Sequence, residues 1–254
     1  MEIDLKGKVA LVTGATGELG RVMVRTLGAC GANVIVHYGR NQEKAEELCA
    51  QLRNMGVEAM AVQADITNQN SIEEMKRTVE GGIGLPSIVV ANAVIQIHPW
   101  SSVLEEDPAD YESQFQSCVM QTVYLAKAFI PGMIQAGYGR YIAINTECAM
   151  EAAADSSAYV AGKRGLDGVV RTLAKEVGHH QVTVNQVAPG WTLSEQHIGL
   201  PEDHDAVYRK TVPLGRRGTA QEIANVVAFM ASDLASFITG AYIPVAGGRI
   251  MPAI

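Results

Sequence analysis

Val9-Ala10-Leu11-Val12-Thr13-Gly14-Ala15-Thr16-Gly17-Glu18-Leu19-Gly20 is the stretch on which the fold turns. Val9 to Thr13 is a continuous apolar run, the pattern of a strand buried on both faces. A helical pattern, Val22-Met23-Val24 with Leu27, follows. Between them, Gly14, Gly17 and Gly20 form a turn with Thr16 and Leu19. Such a turn lets backbone come close to a pyrophosphate while the helix N-terminus faces the anion. Strand before, helix after and first place in the chain make this a dinucleotide site.

Further along, Asn33–His37 reads as a second strand and Gln42–Met55 as a helix. Val57–Gln63 is a third strand, Ser71–Glu80 a helix and Ile88–Ala91 a fourth strand. A long helical pattern runs from Pro108 to about Ala136, then a strand from Arg140 to Asn145. A helix to about Gly178, strands at Val182–Val187 and Ala241–Val245, and a helix at Ala220–Ser232 complete the chain. This alternation predicts an α/β fold of three layers, a doubly wound parallel seven-stranded sheet with the first strand central. No linker or repeat divides residues 1–254, so one domain is expected.

A carboxylate at the end of the second strand would meet an adenosine ribose 2′-OH, and a basic residue would suit a 2′-phosphate. The strand ends His37-Tyr38-Gly39-Arg40. With Arg40 there and no acid, NADP(H) is expected over NAD(H). Asp65, before Ile66, closes the third strand; it either accepts from the adenine amino group or caps the next helix.

Tyr159 and Lys163 stand four apart on a helix, hence on one face. A phenol titrates near pH ~10 and an adjacent ammonium lowers that value, which would make Tyr159 a general acid or base. Composition bounds the rest. A net charge of -7 argues against nucleic acid. No apolar run looks long enough to cross a membrane, and Met1–Leu5 lacks the features of a signal peptide. The cysteines, Cys30, Cys49, Cys118 and Cys148, are scattered and read as reduced thiols of a cytoplasmic protein. No metal-ligand spacing occurs, and His179-His180 reads as an exposed helix end.

Taken together, the turn from Thr13 to Gly20, Asp65, Ala91-Asn92-Ala93, Tyr159-x-x-x-Lys163, Asn185, Pro189-Gly190 and Ala246-Gly247-Gly248 resemble the short-chain dehydrogenase/reductase superfamily. The resemblance spans nearly the whole chain and is closest to the single-domain branch of oxoacyl reductases and sugar or polyol dehydrogenases. It implies a ketone–alcohol oxidoreductase. Tyr159 would exchange the proton, and Lys163 would hold the nicotinamide ribose and depress the Tyr159 pKa. Asn92 and Ala93 would lie beside the cofactor. Pro189-Gly190 and Thr192 would meet the nicotinamide carboxamide.

The chain departs from that pattern in four places. Glu18 replaces a usual glycine and should point away from the pyrophosphate. Val94 adds bulk after Asn92-Ala93. The family's catalytic serine position falls on Thr146 and its catalytic asparagine on Cys118, with Gln121 nearby as a substitute. Two readings follow: a working reductase with an adapted tetrad, or an NADP(H)-binding relative with weak or no catalysis that acts as a sensor or assembly partner.

The substrate loop, about residues 191–213, carries Trp191, Leu193, Ile198, Leu200 and Tyr208 among Glu195, Glu202, Asp203 and Asp205. Its acidity favours a small free ketone, alcohol or sugar over an acyl chain on a carrier protein. Glu147, Cys148, Met150 and Glu151 should form another pocket wall, with His98 and Trp100 near the same cleft. A homotetramer is implied by the resemblance, with Ala161, Gly162, Gly165 and Gly168 allowing close packing between subunits.

Overall fold

The computed structural model describes residues 2–95, 99–193 and 205–252. The strands are β1 (Val9–Val12), β2 (Asn33–Tyr38), β3 (Ala59–Gln63), β4 (Ile88–Ala91), β5 (Gly139–Ile144), β6 (Val182–Pro189) and β7 (Tyr242–Val245). They form one seven-stranded sheet in the order β3-β2-β1-β4-β5-β6-β7. All neighbouring pairs are parallel. The order reverses between β1 and β4, so the crevice past their C-terminal ends is where a ligand of such a sheet sits.

Alternate strand residues face opposite cores. Val34 and Val36 join α1 (Glu18–Ala29), α2 (Gln42–Asn54) and α9 (Ala220–Ala231) on one face. Ile35 joins α3 (Gln69–Glu80), α5 (Gln121–Ala136) and α7 (Ser157–Val177) on the other. Several helix starts are set by side-chain caps. Asn41 accepts from Lys44 N, Asn68 from Ser71 N, and Thr219 with Glu222 forms a capping box.

The long helix after Pro108 is interrupted. It comprises α4 (Pro108–Gln114), a π-helical turn at Phe115–Met120, and α5. By length and a mean hydropathy of 1.2 it matches a bilayer span, yet most of it is buried against α3 and α7 as a core helix. Two short helices were not evident in the sequence: α6 (Glu147–Glu151) after β5, and α8 (Ala206–Thr211) in the substrate loop. β3 starts at Ala59, because Val57 still belongs to the turn leaving α2.

Candidate functional site

The turn after β1 is held by a buried polar network. Thr13 Oγ1 accepts from the amides of Asn92 (2.9 Å) and Ala93 (3.0 Å) and donates to Gln121 Oε1 (2.9 Å). Asn92 Nδ2 returns to Thr13 O at 2.9 Å. Gln121 Nε2 donates to Ala93 O and Ser117 O. Gln121 is thus committed to bracing this turn, and it does not substitute for the missing asparagine.

Gly14 has φ +62°, and a Cβ there would lie 3.0 Å from Ala93 Cα. Its amide donates to His37 Nδ1 (3.0 Å), and His37 Nε2 bonds Ala64 O (3.1 Å). The imidazole therefore carries its proton on Nε2 and ties the ends of β1, β2 and β3 together. Burial pushes the His37 pKa down to about 4. No spacing in the sequence marks this histidine.

The N-terminus of α1 suits an anion. Its N-cap, Gly17, has no side chain to occupy the first-turn amides. Thr16 and Leu19 are half-buried beside it. Glu18 turns to Arg21 (2.9 Å) one turn on. Tyr38 ends β2 half-buried, and Arg40 beyond it is exposed. Asp65 Oδ1 accepts from Thr67 N (2.9 Å) and Thr67 Oγ1 (2.7 Å). Asp65 does not cap α3, since Asn68 does. Ile66 beside it is buried. These residues fit a dinucleotide, with backbone for the pyrophosphate and a free basic side chain beyond β2.

Tyr159 and Lys163 lie in the first two turns of α7, and Thr146 ends the β5 segment opposite. Thr146 Oγ1 accepts from Cys148 N at 3.3 Å, and the Thr146 side chain lies close enough to Tyr159 to favour its ionised form. Lys163 is buried, its Nζ 5.7 Å from the Tyr159 ring centre and donating to Ile144 O at 2.7 Å. Cys118 lies in the π-helical turn, near enough to act electrostatically on both Tyr159 and Lys163. Its thiol faces Gln114 Oε1 at 3.8 Å. Tyr159, Lys163, Thr146 and Cys118 are thus neighbours in the fold.

One expectation is reversed. Burial raises the Tyr159 pKa above its ordinary value, and the thiols Cys148 and Cys118 push the same way. The Thr146 side chain opposes them. Lys163 is itself desolvated, which depresses its own pKa. Tyr159 is a protonated acid at neutral pH.

Past β6, Pro189 is buried and Gly190 is pinned by its amide to Val245 O (3.0 Å). Glu147 Oε1 accepts from Trp191 N (3.1 Å) and Tyr208 Oη (2.8 Å) and pairs with Arg249 (3.1 Å). Arg249 forks onto both Glu151 oxygens. Arg217 donates to Trp191 O and Thr192 O, and its guanidinium stacks 4.1 Å above the Trp191 ring. Thr192 Oγ1 donates to Gly190 O. Arg217 and Arg249 went unnoticed in the sequence, where nothing marks a lone arginine as an anchor. Trp100 reaches Tyr159, with ring centres 5.9 Å apart. His98, Glu195, Ile198, Leu200, Glu202 and Asp203 lie outside the described residues. Among the described residues no cluster could hold a metal ion.

Comparison with known proteins agrees with this layout. Residues 14–249 match the family model described as enoyl-(acyl carrier protein) reductase. The 3-oxoacyl-(acyl-carrier-protein) reductase of Pseudomonas aeruginosa is 36% identical over 249 residues, covering 98% of this chain and 100% of that protein. Its Escherichia coli counterpart is 33% identical over the same length, with the same shares covered. A gluconate 5-dehydrogenase from Burkholderia cenocepacia, solved with NADP and tartrate, superposes with TM-score 0.90 at 25% identity, over 98% of this chain and 97% of that one. A promiscuous reductase that performs keto-reduction at C1 during lugdunomycin biosynthesis superposes with TM-score 0.90 at 28% identity, over 97% and 99%. The chain belongs to the short-chain dehydrogenase/reductase superfamily of nicotinamide-dependent oxidoreductases.

Proposed function

We propose that this chain interconverts a small ketone and its secondary alcohol with NADP(H). The observation that carries the reading is the half-buried Tyr159 phenol with the buried Lys163 ammonium 5.7 Å from its ring, one turn apart on the same helix. When bound, the nicotinamide supplies or accepts the hydride. In reduction, Tyr159 Oη gives its proton to the carbonyl oxygen as that oxygen becomes an alkoxide. The Thr146 hydroxyl donates to the same oxygen and stabilises its charge. Lys163 meets the nicotinamide ribose and supports the negative charge left on Tyr159. Gly14, Gly17, Gly20 and the first amides of α1 hold the pyrophosphate, and Arg40 the 2′-phosphate. Asp65, Asn92, Ala93, Pro189, Gly190 and Thr192 line the rest of the cofactor.

The substrate is neutral. Residues 191–213 carry two basic residues, Arg209 and Lys210, and Arg209 pairs with Asp205 at 2.7 Å. Arg249 is matched by Glu147 and Glu151, and Arg217 lies 3.7 Å from Asp205. Gluconate is an acid and acyl carrier protein an acidic partner, so neither suits this wall as well as a neutral hydroxyketone or sugar.

The test is NADPH oxidation followed against a panel of neutral ketones, a ketoacid and an acyl thioester. Turnover on a neutral ketone is expected. Tyr159→Phe should lower it by about 100-fold or more while leaving NADPH affinity within about twofold. Arg40→Ala should erase most of the preference for NADPH over NADH. Tight NADPH binding without turnover on any carbonyl would favour the binding-only relative, a reading supported by the thiol at Cys118, a poor donor and acceptor.

A further inference from the structure

We infer that Glu106, a buried carboxylate from the segment before α4, is a positioning residue that sets the first turn of α7 and hence Tyr159.

The entry into α7 is unusual in two ways. Ala152 (φ 56°) and Asp155 (φ 58°) both adopt left-handed backbone without being glycine. An L-residue adopts this conformation only at a cost, so the surroundings must hold this bend. Ser156, at the N-cap position, makes no capping bond. Its hydroxyl instead donates backwards to Ala153 O at 2.8 Å. The helix that carries the proposed proton donor thus starts strained and without its own cap.

Glu106 supplies the cap from elsewhere in the chain. Its Oε2 accepts from Ser157 Oγ at 2.6 Å and from Ala158 N at 3.2 Å. An N-cap side chain ordinarily fills this place, taking a first-turn amide and placing negative charge at the positive end of the helix. Tyr159 is the next residue. The carboxylate is itself held: its own amide donates to Ser102 O at 2.9 Å, and the adjacent Asp107 caps α4 through Ala109 N at 2.9 Å. Tyr111 of α4 makes a short bond to Ser157 Oγ from the other side. The Trp100 ring in the same segment packs on Tyr159. The segment after β4 therefore grips the catalytic helix at its start. Its two bonds go to Ser157 Oγ and Ala158 N rather than to Tyr159, so it acts on Tyr159 through the helix backbone.

The catalytic half of this inference rests on the reductase reading; the geometric half stands alone. Two measurements separate them. Amide hydrogen exchange on the full protein reads the first turn of α7 whether or not the chain turns over. Glu106→Ala is expected to speed exchange at Ala158, Tyr159 and Val160 by about tenfold or more, and Glu106→Gln, which keeps an acceptor oxygen, to stay near wild type. Steady-state kinetics should show kcat falling about tenfold to a hundredfold in Glu106→Ala. The NADPH KM should be unchanged, the pH profile unshifted, and the rate largely restored in Glu106→Gln. Wild-type exchange in Glu106→Ala, or a Gln variant as impaired as the Ala variant, would overturn the inference. If the wild-type protein reduces no carbonyl, the reductase reading fails, while the exchange result still decides whether Glu106 sets Tyr159.

Discussion

Tyr159 keeps its proton because burial outweighs the nearby Thr146 side chain, which favours ionisation. The sign fixes a pH dependence. A raised pKa leaves the acid form present through and beyond neutrality, so the kcat for ketone reduction should stay flat from pH 6 to 9, on the order of the range below a phenol's usual ~10. Alcohol oxidation needs the phenolate and should climb across the same range. An alkaline loss of reduction below pH ~9 in a buffered kinetic series would show that Tyr159 is not the acid.

His37 gives a second titration. Its folded pKa, about 4, lies below the unfolded value of 6.5. The unfolded chain thus binds the extra proton first, and folding loses stability as pH falls from about 6.5 to about 4. The shift corresponds to about 3 kcal/mol. Denaturant melts at pH 7 and pH 4.5 should show most of that loss. His37→Gln, which can still accept from Gly14 N and donate to Ala64 O, should flatten it. Tyr159 was legible in the sequence because its lysine stands one helical turn away. His37 was not, because its partners, Gly14 and Ala64, come from the ends of two other strands.

Among the elements, α1 depends on its third glycine. A Cβ on Gly20 would fall 2.2 Å from Gly14 O and 2.8 Å from Ala15 Cα. Alanine favours a helix by about 1 kcal/mol, but overpacking against backbone costs more, about 1–3 kcal/mol, and the turn cannot retreat. Gly20→Ala should lower the melting temperature by roughly 2–4 °C for each kcal/mol lost in a chain of this size and weaken NADPH binding, both readable by thermal melts with and without NADPH. An unchanged melt would mean that the turn is not close-packed.

The glycines of α7 correct an expectation of the same kind. A Cβ on Gly162 would meet Gln114 O at 2.9 Å, and one on Gly165 would meet Val119 at 2.7 Å. They let α7 approach the π-helical turn of its own chain. Only Gly168, open on all sides, and exposed Ala161 stay available to a neighbour. Apolar periodicity made these helices readable but not the face each glycine turns to, nor the π-helical turn, where one extra residue slips into an otherwise regular helix. The start of α6 was hidden because Thr146 is both its cap and a site residue.

At the scale of the molecule, alternating strand and helix sufficed for the topology, since right-handed crossovers leave few ways to wind seven parallel strands. The cross-braces were not readable. Glu106 with Ser157 and Glu147 with Arg249 join positions far apart in the chain, and charge alone names no partner. The remaining apolar surface suggests assembly. Phe115 is half exposed on the face shared by α4 and α7, and Phe237 is fully exposed beside β7. We expect a homotetramer, and light scattering near four times the 27.1 kDa chain mass would agree with it; a single monomeric peak would refute it.

Arg249 lies beyond the last strand, yet its guanidinium reaches Glu147 beside Thr146. Arg249→Ala would leave all seven strands and the Tyr159 helix intact. It would nonetheless strip the counterion from a buried acid next to the chemistry and loosen the Tyr208 hydroxyl that shares that acid. A side chain outside every strand and helix thus braces the wall beside Thr146.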